Sequence, residues 1–288
     1  MKLGVITDGI SRELEHALAV MNETGIENAE FQYIWDKEVG DLSDRQINKV
    51  QSLVKTHKVN VSCISRHIMG GLSVKNTEKN SPDFIKHMGA LKRCIKMAKE
   101  LSCPLVRVMS FSKEMILFGS HGAEAWNVSN GAWDKFVNLM EVPVQIAEDE
   151  GINLVVETGN NAMITSAWLS RKLMNELGTS RLRLLWDPAN SLYCNEIPFP
   201  DGYEAVKGGY IGHIHMKDAI VDIPKATLTN TELGKGQMAP YLKNIANALR
   251  QEKYEGSISY ESVYRPVGST FEDGYRASLS AFKEIFGS

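Results

Sequence analysis

Short apolar, β-branched runs alternate along the chain with longer stretches in which apolar residues recur every three or four positions. The short runs predict strands at Leu3–Thr7, Ala29–Trp35, Val59–Ser65, Leu105–Ser110, Asn153–Glu157, Leu182–Asp187, Tyr210–Met216 and Ser257–Glu261. The stretches between them predict helices. Glu13–Thr24 puts Leu14, Leu18 and Met21 on one stripe, and Phe84–Leu101 does the same with Met88, Leu91, Ile95 and Ala98. Phe136–Glu150, Ser166–Leu177 and Ala239–Glu252 repeat the pattern, and Phe271–Phe286 ends it. Ser43 and Ser81-Pro82 stand where the second and third helices should start. Gly25, Gly151, Gly178 and Gly256 stand where helices should stop. Pro198 and Pro200 leave room for only about one or two helical turns between the sixth and seventh strands.

Eight strand–helix units in 288 residues fit either an eight-fold barrel or an open, doubly wound sheet. A dinucleotide-binding sheet needs a glycine-rich turn after its first strand, and here that turn reads Thr7-Asp8-Gly9-Ile10-Ser11. No Pro- or Ser-rich linker divides the chain. The expectation is therefore one (β/α)8 TIM-barrel domain over residues 1–288.

Composition narrows the function. Hydrophobic residues make up 43% and charged residues 23%, as in ordinary globular proteins. A net charge of −3 provides no broad attraction for nucleic acid or an anionic membrane, so neither is expected as a partner. The four cysteines, Cys63, Cys94, Cys103 and Cys194, form no C-x-x-C pair and read as reduced, mostly buried thiols. No stretch approaches the ~18 consecutive apolar residues of a membrane helix, and Asp8 interrupts the short N-terminal apolar run. A cytoplasmic protein is expected.

In such a barrel, chemistry gathers at the C-terminal ends of the strands. The fifth strand ends on Glu157, the sixth on Asp187, the seventh on His213-Ile214-His215-Met216, and the eighth on Glu261. Each has an ordinary alternative: a strand-end carboxylate can cap the next turn, and a lone histidine can be a satisfied core residue. Four such positions closing four consecutive strands point instead to a shared cation, because carboxylates buried at one mouth need neutralising. Three carboxylates and an imidazole form an oxygen-rich site suited to Mn²⁺ or Mg²⁺, with Co²⁺ or Zn²⁺ also acceptable.

These strand ends, together with the H-x-K-D sequence His215-Met216-Lys217-Asp218 and the Gly234-Lys235-Gly236-Gln237 turn, resemble the xylose isomerase-like TIM-barrel superfamily over essentially the whole chain. The superfamily includes sugar and sugar-phosphate isomerases and epimerases, inosose and dehydroshikimate dehydratases, and apurinic-site endonucleases. The resemblance implies one divalent ion held by Glu157, Asp187, His215 and Glu261. His215 is preferred to His213 because it begins the H-x-K-D sequence, and His213, on the same strand face, would lie behind it. The resemblance further implies that Glu157 and Glu261 are the catalytic pair, one removing and the other returning a carbon-bound proton beside a metal-polarised carbonyl. The implied substrate is a sugar, sugar phosphate or polyol ketone, and a homodimer is the implied assembly.

Arg107 within the fourth strand, His67 after the third, Asn190 after Asp187, and His213 and Lys217 on the seventh are candidate substrate-binding residues. The ordinary alternative for Lys217 is a salt bridge to Asp218. Trp35 could wall the pocket or fill the core. The loop Phe111–Val128, with Gly119, His121, Gly122 and Trp126, is a candidate lid. The chain departs from the ketose 3-epimerase pattern at two substrate-gripping positions. Asn190 stands where a histidine follows the metal aspartate by three residues, and Val221 where an arginine follows the metal histidine by six. A dehydratase acting on an inosose- or dehydroshikimate-like ring is the alternative reading on the same metal site. An endonuclease would need further ligands around His67 and His121, and a barrel that binds sugar without turnover would not need the full quartet.

Overall fold

The structure is a computed structural model that describes residues 1–112, 131–194, 196–225 and 227–287. Eight parallel strands close into a barrel: β1 (Lys2–Ile6), β2 (Asn28–Phe31), β3 (Asn60–Ile64), β4 (Leu105–Val108), β5 (Asn153–Glu157), β6 (Leu182–Trp186), β7 (Ile211–Met216) and β8 (Ser257–Tyr260). Neighbours in sequence pair in space, and β1 closes the ring against β8, with Leu3 opposite Ile258 and Val5 opposite Tyr260. This is the expected (β/α)8 barrel.

Alternation along the strands sorts the side chains into two cores. The outward-facing positions, such as Leu154, Val156, Leu184, Trp186, Ile214, Met216, Ile258 and Tyr260, join one large buried cluster with the helices. Inside the barrel, Cys63, Val155 and Leu185 form a small apolar plug, with Leu105 packed against it. One alternation further along β4, β5 and β6, the inward positions are Arg107, Glu157 and Asp187. The barrel is thus apolar inside below its mouth and ionic at it.

Helix boundaries follow the expected physical signals with two exceptions. Ser43 caps the helix Asp44–His57 in a capping box with Gln46, and Pro82 opens the helix Pro82–Glu100. Gly25, Gly151 and Gly178 end their helices in the left-handed conformation. Gly256 does not: its helix ends at Gln251, and Lys253, at φ 55°, makes the left-handed turn instead. The fourth helix begins at Ala132, one turn before the expected Phe136. Between β6 and β7 the chain makes only the short helices Pro188–Leu192 and Tyr203–Val206 and an irregular turn at 198–202, as the two prolines require.

The second strand is shorter than the expected Ala29–Trp35. Trp35 and Asp36 lie at φ 49° and 64°, which turns Tyr33–Ile34 back onto Lys37–Glu38 as a small hairpin and takes these residues out of the barrel ladder. Trp35 packs on the outer core, with Lys49 Nζ 4.8 Å from its ring centre. Of the candidate lid Phe111–Val128, residues 113–128, with Gly119, His121, Gly122 and Trp126, lie outside the described residues, and Phe111 is buried. Among the described residues, no helix is long and apolar enough to cross a membrane.

A second hairpin, Asp218–Asp222 with Thr227–Thr231, follows β7. Asp218 is fully buried beneath it and does not pair with Lys217. Its Oδ1 accepts from the Ala219 and Met238 amides, at 2.8 and 2.9 Å, and its Oδ2 from those of Gly234 and Gly236, both at 2.9 Å. Gly236 is needed for this approach, since a Cβ there would lie 2.3 Å from Asp218 Oδ1. The H-x-K-D aspartate and the Gly-Lys-Gly-Gln turn are therefore two halves of one structural staple. Asp218→Ala would strand four amides, two buried and two partly buried, and is expected to cost about 3 kcal/mol or more in urea unfolding. A loss under about 1 kcal/mol would show that water replaces the carboxylate.

Candidate metal centre at the barrel mouth

The inward alternation of the last four strands delivers Glu157, Asp187, His215 and Glu261 to one place. One ligand atom from each lies within 4.8 Å of all the others. Glu157, Asp187 and His215 are buried, and Glu261, just past the end of β8, is partly exposed.

Each side chain is held by its neighbours. Glu157 Oε2 accepts from Arg107 Nη1 at 2.9 Å, and its Oε1 lies 3.2 Å from His215 Nδ1. Arg107 Nη2 donates to the Ser65 carbonyl at 2.6 Å, so the guanidinium is fixed from both sides. Asp187 serves two purposes. Its Oδ1 caps the short helix after β6 by accepting from the amides of Ala189 and Asn190, at 3.1 and 3.3 Å. Its Oδ2 faces Lys217 Nζ at 2.6 Å without a well-directed hydrogen bond. Lys217 Nζ also lies 2.5 Å from Glu261 Oε2, so the lysine bridges two carboxylates of the cluster.

The charges push the two buried carboxyls apart. Burial disfavours ionised Glu157, but Arg107, His215 and Lys217 together outweigh it and hold the carboxyl well below its ordinary range. At Asp187 burial dominates: against the pull of Lys217, and with Glu261 and Glu157 adding repulsion, the carboxyl is pushed up to about 6. Burial also disfavours a charged His215, yet Glu30 and Glu157 on either side raise it well above the ordinary imidazole value.

The residues fit a divalent cation. Three carboxylates and an imidazole converge, one buried carboxylate oxygen lacks a directed donor, and the ring nitrogen facing the other ligand atoms is Nδ1.

The remaining candidate residues take varied places. Arg107 serves Glu157. Asn190 spends its side-chain amide on the Thr158 carbonyl at 2.9 Å. His67 lies beyond β3, with Nδ1 2.8 Å from Glu38 Oε1 and its side chain 41% exposed. His213 is fully buried beneath the cluster, with Nε2 2.7 Å from Glu30 Oε2. A cavity of about 560 Å³ opens beside Glu261, and Asp8, Arg12, Gln32, Tyr33, Arg265 and Phe271 are among its lining residues. Sequence reasoning missed Asp8, Glu30 and Glu38. Glu30 carried the same signal as Arg107, an ionisable residue inside an apolar barrel strand, and could have been found by it.

The xylose isomerase-like TIM-barrel family matches residues 18–285, and the chain belongs to that family. No curated protein matches the sequence. Among solved structures, the chain is similar to D-psicose 3-epimerase with D-tagatose from Clostridium cellulolyticum H10, at 16% identity and a TM-score of 0.71 over 99% of both chains. It is also similar to the probable 3-DHS dehydratase AsbF from Bacillus anthracis, at 15% identity and a TM-score of 0.74 over 98% of this chain and 99% of that one. The IOLI protein with a bound zinc atom aligns at 16% identity and a TM-score of 0.73, over 100% of this chain and 98% of that one.

Arg107→Met would leave Glu157 buried without its cation and is expected to cost about 3–5 kcal/mol at pH 7. Because the folded-state pKa of Glu157 lies below its unfolded value near 4.5, this stabilisation is present above that pH and lost as the pH falls further. Denaturant unfolding of both proteins from pH 7 to 3 should show the gap closing below about pH 4. A gap independent of pH would mean that the arginine acts by packing alone.

Proposed function

We propose that this barrel is a cytoplasmic, divalent-metal-dependent isomerase or epimerase of a sugar or sugar phosphate. The observation that carries the reading is the convergence of Glu157, Asp187, His215 and Glu261 beside a cavity large enough for a small polyol. Mn²⁺ or Mg²⁺ suits the oxygen-rich donors, and the ion would supply Lewis acidity toward a substrate carbonyl and its neighbouring hydroxyl. Glu157, kept ionised by Arg107, takes the proton from the carbon beside the carbonyl onto a carboxylate oxygen. Glu261, reached from the cavity and held by Lys217, returns a proton to carbon on the other face. Lys217, when it releases Asp187 and Glu261, is placed to donate to the oxygen on which negative charge develops.

A dehydratase is the second reading, favoured by one observation. The position three residues after Asp187 is Asn190, whose amide is engaged by the main chain, so the ketose grip that an imidazole would offer there is absent. Such an enzyme would begin with the same proton abstraction and then expel a hydroxyl.

Proton NMR in D₂O against ketoses, ketose phosphates and cyclic polyol ketones tests both readings. The expected result is metal-dependent exchange of the carbon-bound proton with an isomeric product, reduced about 10²–10⁴-fold in Glu157→Gln and Glu261→Gln. A new alkene signal would select the dehydratase. Binding of an ion and a sugar without exchange would overturn catalysis. A further expectation concerns pH. In chelator-treated protein the ion must displace a proton from His215 and, below about pH 6, a second from Asp187, so Mn²⁺ affinity should fall as the pH drops and fall more steeply below about 6. Calorimetric titration from pH 8 to 5 checks this, and a slope that does not steepen below about pH 6 would remove Asp187 from the ligand set.

A further inference from the structure

Below the proposed metal ligands lies a second buried cluster that shares only His215 with them. Glu30 on β2, His213 and His215 on β7, and Ser65 beyond β3 meet across the barrel interior, all with negligible exposure. Glu30 Oε2 lies 2.7 Å from His213 Nε2, and Oε1 lies 2.8 Å from His215 Nε2. The Ser65 hydroxyl donates to the same Oε1. The ring planes of His213 and His215 stand at 80° to each other, so the two imidazoles approach Glu30 in different orientations.

The chemistry of the carboxylate fixes the protons. An ionised carboxylate only accepts hydrogen bonds, so both imidazoles must present Nε2–H to Glu30. For His213 this agrees with its other nitrogen, because Nδ1 is buried without a hydrogen-bond partner. For His215 it leaves Nδ1 as the atom facing the ligand set, 3.2 Å from Glu157 Oε1 and 3.8 Å from Glu261 Oε2.

The barrel ladder is irregular at both residues. Between β2 and β3 the pairing steps from Ala29–Val61 to Glu30–Cys63 and skips Ser62. Between β6 and β7 it steps from Leu184–Ile211 to Leu185–His213 and skips Gly212. Each skip is a bulge, a device that re-aims the adjoining side chains at the expense of regular pairing. Gly212 is required for the second one, since a Cβ there would lie 2.7 Å from Arg183 Cβ and 2.9 Å from Val155 Cγ1.

We infer that Glu30 is a positioning residue for the metal centre: it holds the Nε2 proton of His215 and so leaves Nδ1 as the nitrogen offered to the ion. His213 occupies the other oxygen of Glu30 and keeps its carboxylate turned toward His215. This rests on the metal-dependent reading above, and the experiment separates the two. Carboxylates that orient a ligand histidine in this way typically contribute 10–100-fold to metal affinity.

The test is calorimetric titration of Mn²⁺ into chelator-treated wild-type protein and Glu30→Gln, with melting curves of both recorded without ion. The expected result is one ion per chain in each, bound roughly 10–100-fold more weakly by the variant. A residue that mattered only for folding would lower the melting temperature and leave the affinity of the folded fraction unchanged, which would overturn the inference. Two ions per chain in the wild type, with the second lost in Glu30→Gln, would also overturn it by making Glu30 a ligand. A wild-type protein that binds no divalent ion would overturn the metal reading and this inference together. Should Glu30→Gln fail to fold, ¹⁵N NMR of the wild type loaded with Zn²⁺ decides. A proton on His215 Nε2 and none on Nδ1 is expected, and the reverse tautomer overturns the inference.

Discussion

The structure depends on neutralising carboxylates that the fold forces into one small volume. Glu30, Glu157 and Asp187 are buried inside the barrel, with Glu261 at its rim. Isolated charges in such a place would each cost several kcal/mol. Arg107, Lys217 and His215 supply the opposing charge, and each touches two partners: Glu157 and the Ser65 carbonyl, Asp187 and Glu261, Glu30 and Glu157. Four acids against three cations leave negative charge in excess. Burial, with repulsion from Glu261 and Glu157 added to it, pushes the Asp187 carboxyl up to about 6. The same imbalance makes the cluster receptive to a further positive charge.

Building such a centre takes a rigid frame. Period-two alternation in closed parallel strands sends Val155 and Leu185 to the plug, and Glu157 and Asp187 to the mouth, without any loop having to choose a conformation. Where regular alternation does not suffice, the ladder breaks, at Ser62 and at Gly212. Both breaks adjoin the layer that carries Glu30 and His213. The turn before the helix Ala239–Gln251 is pinned by Asp218 through four backbone amides, which keeps the residue after Lys217 out of the ionic cluster. The H-x-K-D sequence therefore combines a proposed metal ligand, a neutralising lysine and a structural staple in four residues.

Much of this was legible in the chain. The apolar runs and their glycine stops defined eight strands because a buried parallel strand and a helix C-terminus each leave a local signature. Glu157, Asp187 and Glu261 stood out because a carboxylate closing an apolar run is costly unless something receives it. Less legible were the features that depend on a distant partner. Lys217 beside Asp218 suggested a local salt bridge, whereas the two side chains diverge, one into the barrel and the other under the hairpin. Trp35 extended an apolar run past the point at which Tyr33–Ile34 leaves the barrel, because the left-handed turn at Trp35 and Asp36 has no glycine to announce it.

The sequence by itself determined the barrel, the order of its strands and which of their ends carry the candidate ligands, since periodicity and spacing are properties of neighbours along the chain. Only the tertiary structure decided which His215 nitrogen faces Glu30 and which faces Glu157 and Glu261, that Glu30 joins His213 to His215, and that Arg107 belongs to Glu157. Those choices are made across the barrel interior between residues 50 to 185 positions apart, where closure of the sheet rather than local preference brings the side chains together.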